Sequence, residues 1–333
     1  MVMRHWSRRH LLQTTLAGAA LGVWPGAGRT EAYPARPIKL VVPFAPGGSS
    51  DILARLLAEA LHTELGQPVY IENKPGAGGL LGTQAVAQAT PDGYVLGLGS
   101  ISSLAVNPVV LQASRLQPLR DLQMVAPLVS IASVFSAHPS LGVRDFASFV
   151  QAARAQSEPW AVGSSGVGSI GHVILEAINA ELGLQLHHIP FKGMGPVVNS
   201  ALAGHTQVLS DQFPSSAPYV LAGRLQPFAV AAQTRLPQLP QVPTLRELGY
   251  PQLNQLAITW FGLVAPAGTP AAIVQRLNAA ANRALQQARM VQRMTELGTE
   301  ALGGSPEDLE QLVQRTSTQV QALVRARGIT DGL

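Results

Sequence analysis

The residues best placed to do chemistry lie in "VVPFAPGGSSD", Val41 to Asp51, where an apolar run meets a glycine pair, two serines and an aspartate before a helical pattern begins. Gly47 and Gly48 remove side chains where the backbone must turn. The N–H groups from Gly47 through Ser49 and Ser50 to Asp51 can then face outward at the positive end of a helix dipole, a setting that favours a small anion. A second stretch has the same layout: "WAVGSSGVGSIGHVILEAINAELG", Trp160 to Gly183, gives a short strand, a Gly/Ser loop and an amphipathic helix that stops at glycine. Two helix starts of this kind, far apart in the chain, suggest two α/β lobes facing one cleft.

Other chemistries fit these residues less well. Gly166, Gly168 and Gly171 form G-x-G-x-x-G between strand and helix, but the next strand ends in His187, His188 and Ile189 instead of the acidic residue that holds a ribose. Neither glycine loop carries the lysine of a nucleotide P-loop. "VGSIG" around Ser169 misses a nucleophile elbow by its first residue, and no aspartate lies between it and His205, the last histidine. A hydrolase would have to use Glu176 or Glu181 with His187, His188 or His205, which read instead as decoration of a strand and a surface turn. His187 and His188 point to opposite faces of a strand and cannot share a metal. An enzyme working in the same cleft, hydrolase or nucleotide-cofactor type, is therefore the alternative reading. No catalytic residue, cofactor or metal is expected.

The elements that must position the loops follow from periodicity. Ile52, Leu53, Leu56, Leu57, Ala60 and Leu61 share one helix face up to a stop at Gly66, with Ser50 as the expected cap. "PVYIEN" reads as a second strand, "KPGAGG" as a turn, 81–89 as a helix and "GYVLGLGS" as a third strand. This alternation implies a parallel sheet. Ser100, Ser102, Ser103 and Asn107 fall in the loop past that strand's C-terminal end, where ligands of open α/β sheets collect. Two long apolar runs, 124–135 and "AITWFGLVAPAG", read as crossovers between lobes and hence as a hinge. Asp211 sits at a strand end in "TQVLSDQFP", and three helices close the chain, the last opening on a Ser305, Pro306, Asp308 capping box.

Composition sets limits. The 333 residues are 47% hydrophobic and include no cysteine, so disulfides, thiolate metal sites and a cysteine nucleophile are excluded. The net charge of +4 comes largely from Arg4, Arg8, Arg9 and Arg29 in the first 32 residues, balanced there only by Glu31, which leaves the rest near neutral and without a phosphate-tracking surface. Nucleic acid is excluded as a partner. Ser7 to Gln13, "SRRHLLQ", followed by a short apolar run, has the layout of an export signal. Its paired arginines resemble a twin-arginine signal, with cleavage expected between Ala27 and Tyr33 and Ala32 the better-looking site.

At this point the chain resembles the Bug-type periplasmic solute receptors, the substrate-binding subunits of tripartite tricarboxylate transporters. The likeness spans 33–329 and rests on "YPARPIKLVVPFAPGGSSD", "IENKPGAGG", "ATPDGY", "HHIPFKGMGP", "WFGLVAPAGTP" and the Gly/Ser loop ahead of His172. The resemblance implies a two-lobed type II periplasmic binding protein fold, with 33–125 and 257–333 as the first lobe, 126–256 as the second and 1–32 as the export signal. It implies a monomer that closes on a small carboxylate-bearing ligand and serves a membrane transporter or a membrane sensor. The ligand would be held by the loop from Phe44 to Asp51 (Gly47, Gly48, Ser49, Ser50) and by the loop from Ser164 through Ser165, Gly166 and Gly168 to Ser169, with Asp211 at the cleft. Gln207, Ser210, Gln212 and Met194 depart from the family pattern, where aspartate, phenylalanine, asparagine and a smaller residue are usual.

Overall fold

The computed structural model describes residues 33–111, 114–327 and 329. The expected export signal and the glycine stop at Gly328 lie outside the described residues. In chain order the strands are β1 (Ile38–Val42), β2 (Val69–Asn73), β3 (Val95–Ser100), β4 (Leu122–Ile131), β5 (Ser133–Ala137), β6 (Ala161–Ser164), β7 (His187–Pro190), β8 (Val208–Gln212), β9 (Gln226–Ala231), β10 (Thr259–Pro266) and β11 (Thr299–Ala301).

They form two sheets. The first has the order β11-β4-β10-β3-β1-β2 and the second β7-β6-β8-β5-β9. Where strand and helix alternate, pairing is parallel, as in β2-β1-β3 and β7-β6-β8. The two long apolar runs break that rule: β10 pairs antiparallel with β3 and β4, and β5 pairs antiparallel with β8 and β9. The first run is two strands. β4 stays in the first sheet, and the chain changes sheets at Ala132, the single residue before β5. The return comes between the Pro251–Ala257 helix and β10. Ser133 Oγ donates to the Ala257 carbonyl at 2.6 Å, which pins the two crossings side by side.

Every residue of β10 is buried, as a strand covered on both faces requires. The first helix, Ser49–Leu65, buries Leu53, Leu57 and Leu61 and stops at Gly66 in the left-handed conformation, φ 71°. The last, Pro306–Arg327, has the expected box: Asp308 accepts from the Ser305 amide and Ser305 Oγ from the Asp308 amide. It buries Leu309, Val313 and Val320, packs on β4 and the Ile170–Leu182 helix, and accepts a bond from Trp260 Nε1 at Thr316 Oγ1.

Three local readings change. The first helix begins at Ser49 with Gly48 as its cap, so Ser50 is already inside it. The segment after β3 is no loop: Ser102–Val106 forms a π-helical turn that runs into a short helix at Asn107–Val110. The Phe213–Leu221 helix has no counterpart in the sequence reading because Pro214 and Pro218 disguise it.

Candidate functional site

The two Gly/Ser loops meet across the gap between the sheets. Gly48 is extended and offers no side chain, so the first turn of the Ser49–Leu65 helix lacks a side-chain cap. Among the described residues no protein group accepts from the Ser49 or Ser50 amide. Both residues are buried and line a cavity of about 50 Å3, so two helix N-terminal donors stand at its wall. Ser49 Oγ reaches across instead, 2.8 Å from Ser215 Oγ and 3.3 Å from the Gln212 carbonyl.

Asp51 turns away from this cavity. It accepts from Arg55 Nε and Nη2 at 3.1 and 2.9 Å, from Asn73 Nδ2 at 3.0 Å and from the Gly47 amide at 3.2 Å. Burial alone would raise its pKa, but these donors outweigh burial and hold it below the usual carboxylate value. Asp51 thus shapes the loop, and the Gly47 amide is spent on it.

The second loop is largely satisfied by its own surroundings. Ser169 Oγ caps the Ile170–Leu182 helix by accepting from the His172 amide. Ser164 Oγ accepts from the Gly166 amide, His172 Nδ1 from the Gly168 amide and Ser102 Oγ from the Ile170 amide. His188 is no surface decoration. Its ring stacks on His172 at 4.4 Å, its Nε2 lies 2.6 Å from Ser164 Oγ, and burial, reinforced by His172 and His187, lowers its pKa to about 4. What this loop turns to the cavity is Ser165, Ile170 and Gly171.

Asp211 is the one acidic group on the cavity wall, 3% exposed. Its Oδ2 accepts from Ser215 Oγ at 2.5 Å, while its Oδ1 has no partner. Burial raises its pKa to about 7, outweighing the bond from Ser215. No lysine, arginine or histidine lines the cavity, and among the described residues no cluster of three or more His, Cys, Asp or Glu could hold a metal.

Of the expected site residues, Phe44, Ser49, Ser50, Ser100, Ser165 and Asp211 line the cavity. Gly47 and Gly48 lie against Gly195 and Met194 of the other half, close enough that a Cβ on Gly48 would meet Met194 Cβ at 3.3 Å. Ser103 turns inward to bond Ser100. Asn107 Nδ2 donates to the Gly168 carbonyl at 2.7 Å and ties the halves together. Ser164, Gly166, Gly168 and Ser169 form the loop's internal scaffold. The sequence reading did not single out Ser133, Thr259 and Phe261, which the crossing strands bring to the cavity floor, or Ile101, Ile170 and Ile174. Among the family departures, Met194, Ser210 and Gln212 line the cavity, whereas Gln207 accepts from the Ala161 amide at the start of β6.

The profile described as "Tripartite tricarboxylate transporter family receptor" matches residues 53–329. The chain belongs to this receptor family. Its relatives include Protein BugT of Bordetella pertussis, 33% identical over 90% of this chain and 91% of that one. Among solved structures, the periplasmic binding protein BugD superposes with a TM-score of 0.85 at 30% identity, covering 90% of this chain and 99% of that one. MatC from Rhodopseudomonas palustris, solved with bound malate, superposes at 0.81 and 33% identity, covering 88% and 100%. The fold is thus the two-lobed periplasmic binding protein fold, and the chain is a solute-binding receptor, not an enzyme.

Proposed function

We propose that this receptor captures a small carboxylate in the periplasm by closing its lobes and hands it to a tripartite tricarboxylate-type transporter. The observation that carries the reading is the pair of amides, Ser49 and Ser50, unpartnered among the described residues at a helix N-terminus on the wall of a cavity that no cationic side chain lines. A carboxylate placed there would accept charge-assisted bonds worth about 1.5–3 kcal/mol each, strengthened by the helix dipole. The malate bound to the MatC relative supports the same chemistry.

The two lobes, built on the two sheets, would rotate about Ala132 and the Ala257–Thr259 segment, because only those crossings join them covalently. Calorimetry against a panel of carboxylates, with mass spectrometry of ligand co-purified from native cells, tests the reading. A bound carboxylate recovered chemically unchanged supports it, and a panel without binding together with an empty native protein refutes it. Export by the twin-arginine route predicts loss of periplasmic protein when Arg8 and Arg9 become lysine; unchanged yield would point to the Sec route.

A further inference from the structure

Resting on the carboxylate reading, we infer that the ligand is a compact 2-amino acid with an apolar side chain, its ammonium meeting Asp211 while its carboxylate meets the Ser49 and Ser50 amides. The buried Asp211 carboxyl lines the cavity with one oxygen unpartnered, so once the group is ionised that oxygen lacks a donor, which the ligand must bring. Its other oxygen leads through Ser215 Oγ to Ser49 Oγ, by steps of 2.5 and 2.8 Å. The donor-seeking oxygen and the anion-seeking amides are thus neighbours, as suits two groups on one carbon better than two at the ends of a chain. Most of the remaining wall surface is apolar, from Phe44, Ile101, Ile170, Ile174, Met194 and Phe261, and its other side chains, from serines, Thr259 and Gln212, are uncharged. Ser210 also borders a second, smaller cavity among Phe135, Phe149 and Phe228 on the far side of its strand.

A second ligand carboxylate would face this wall without a cation to meet it. The elements packed on Asp211 bring no charge either. Val134 pairs with it from β5, Ser215 bonds it from the helix that follows β8, and Ser49 approaches from the first helix. Asp51, on that same helix, is committed to Arg55 and Asn73. An ammonium supplies the missing charge and leaves the carboxylate paired.

Proton counting tests this without any variant. The free site keeps Asp211 largely protonated at pH 6, and an arriving ammonium favours the ionised form, so the amino acid should release about one proton. Titration of both valine enantiomers, 2-hydroxy-3-methylbutanoate and succinate, each in two buffers of different ionisation enthalpy, gives affinity and proton count together. At least one valine enantiomer should bind tenfold or more tighter than the hydroxy acid and release a proton. Asp211→Asn, shown folded by circular dichroism, should erase both the preference and the release. Ser210→Phe should weaken valine and leave alanine little changed. If the hydroxy acid or succinate binds as well or better, or binding takes up a proton near pH 8, Asp211 is a neutral donor to the ligand and the amino-acid assignment falls while the carboxylate reading stands. If none of these compounds binds, and no other carboxylate does, both fall.

Discussion

The two Gly/Ser loops look alike in sequence and end in opposite states. At the Ser49–Leu65 helix the cap is a glycine, the Ser49 hydroxyl is committed across the gap, and the Ser49 and Ser50 amides remain open. At the Ile170–Leu182 helix the cap is Ser169, whose hydroxyl serves its own helix, and Ser164, Ser102 and His172 accept from the loop amides. The first loop offers donors and the second offers a wall. A strand, a glycine loop and a helix start announce that an anion site can exist; which amides stay free decides whether it does.

The largest test of this contrast acts where the first loop meets the other half. A Cβ on Gly195 would stand 2.2 Å from the Pro46 carbonyl, backbone against backbone, so Gly195→Ala must push the loop off its seat. We expect affinity to fall on the order of a hundredfold, about 2.7 kcal/mol by calorimetry, with the melting temperature of the unliganded protein changed far less. A next-sized effect comes from Ser49→Pro. Proline suits the first position of a helix, and Gly48 at ψ 171° already has the backbone that must precede it, so the variant should fold and lose the Ser49 donors alone. It should bind about thirtyfold more weakly, ~2 kcal/mol. Ser49→Ala, which keeps the amide, should lose much less; equal losses would shift the credit to the hydroxyl.

The second loop predicts the reverse pattern. Ser169→Ala removes a helix cap and should cost about 1 kcal/mol in denaturant unfolding while affinity changes less than about threefold. A large affinity loss without a stability loss would make Ser169 a ligand contact and erase the contrast.

The smallest effects are in pH. The folded state holds a proton on Asp211 up to about pH 7 that the unfolded chain loses near 4, so this group lowers stability as pH rises between those values. His188 acts in the opposite sense. It stays neutral when folded down to about pH 4, so its contribution is lost as pH falls from about 6.5. Asp211→Asn should flatten the decline above pH 4 in melting curves, and His188→Gln should flatten the one below pH 6.5; an unchanged profile in either variant would show that group ionising as in the unfolded chain.

Much of this was legible in the sequence, and the failures have physical causes. Both helix starts, their glycine stops and the parallel strands follow from local patterns, because each depends on neighbours within a few residues. The antiparallel place of β10 and the break at Ala132 depend on which sheet a strand joins, which an apolar run does not record. Asp51 could have been assigned to structure from sequence alone, since Arg55 stands four residues on, on the same helix face. Nothing local shows that Ser102 accepts from the Ile170 amide or that Ser215 stands between Asp211 and Ser49. Those contacts join elements far apart in the chain, and they decide which donors remain for a ligand.

Part of the seam where the halves touch is built from backbone: Gly47 lies over Gly195, Gly78 lies against Val167 and Gly168, and Gly193 lies against Ala45, beside side-chain bonds from Asn107, Ser102 and Ser49. Ser210 and Gln212, which help give the cavity its chemistry, take no part in those glycine contacts, whereas Met194, facing Gly48, belongs to both. Substitutions at wall positions such as Ser210 and Gln212 can therefore change what the cavity fits while the backbone contacts between the halves stay as they are.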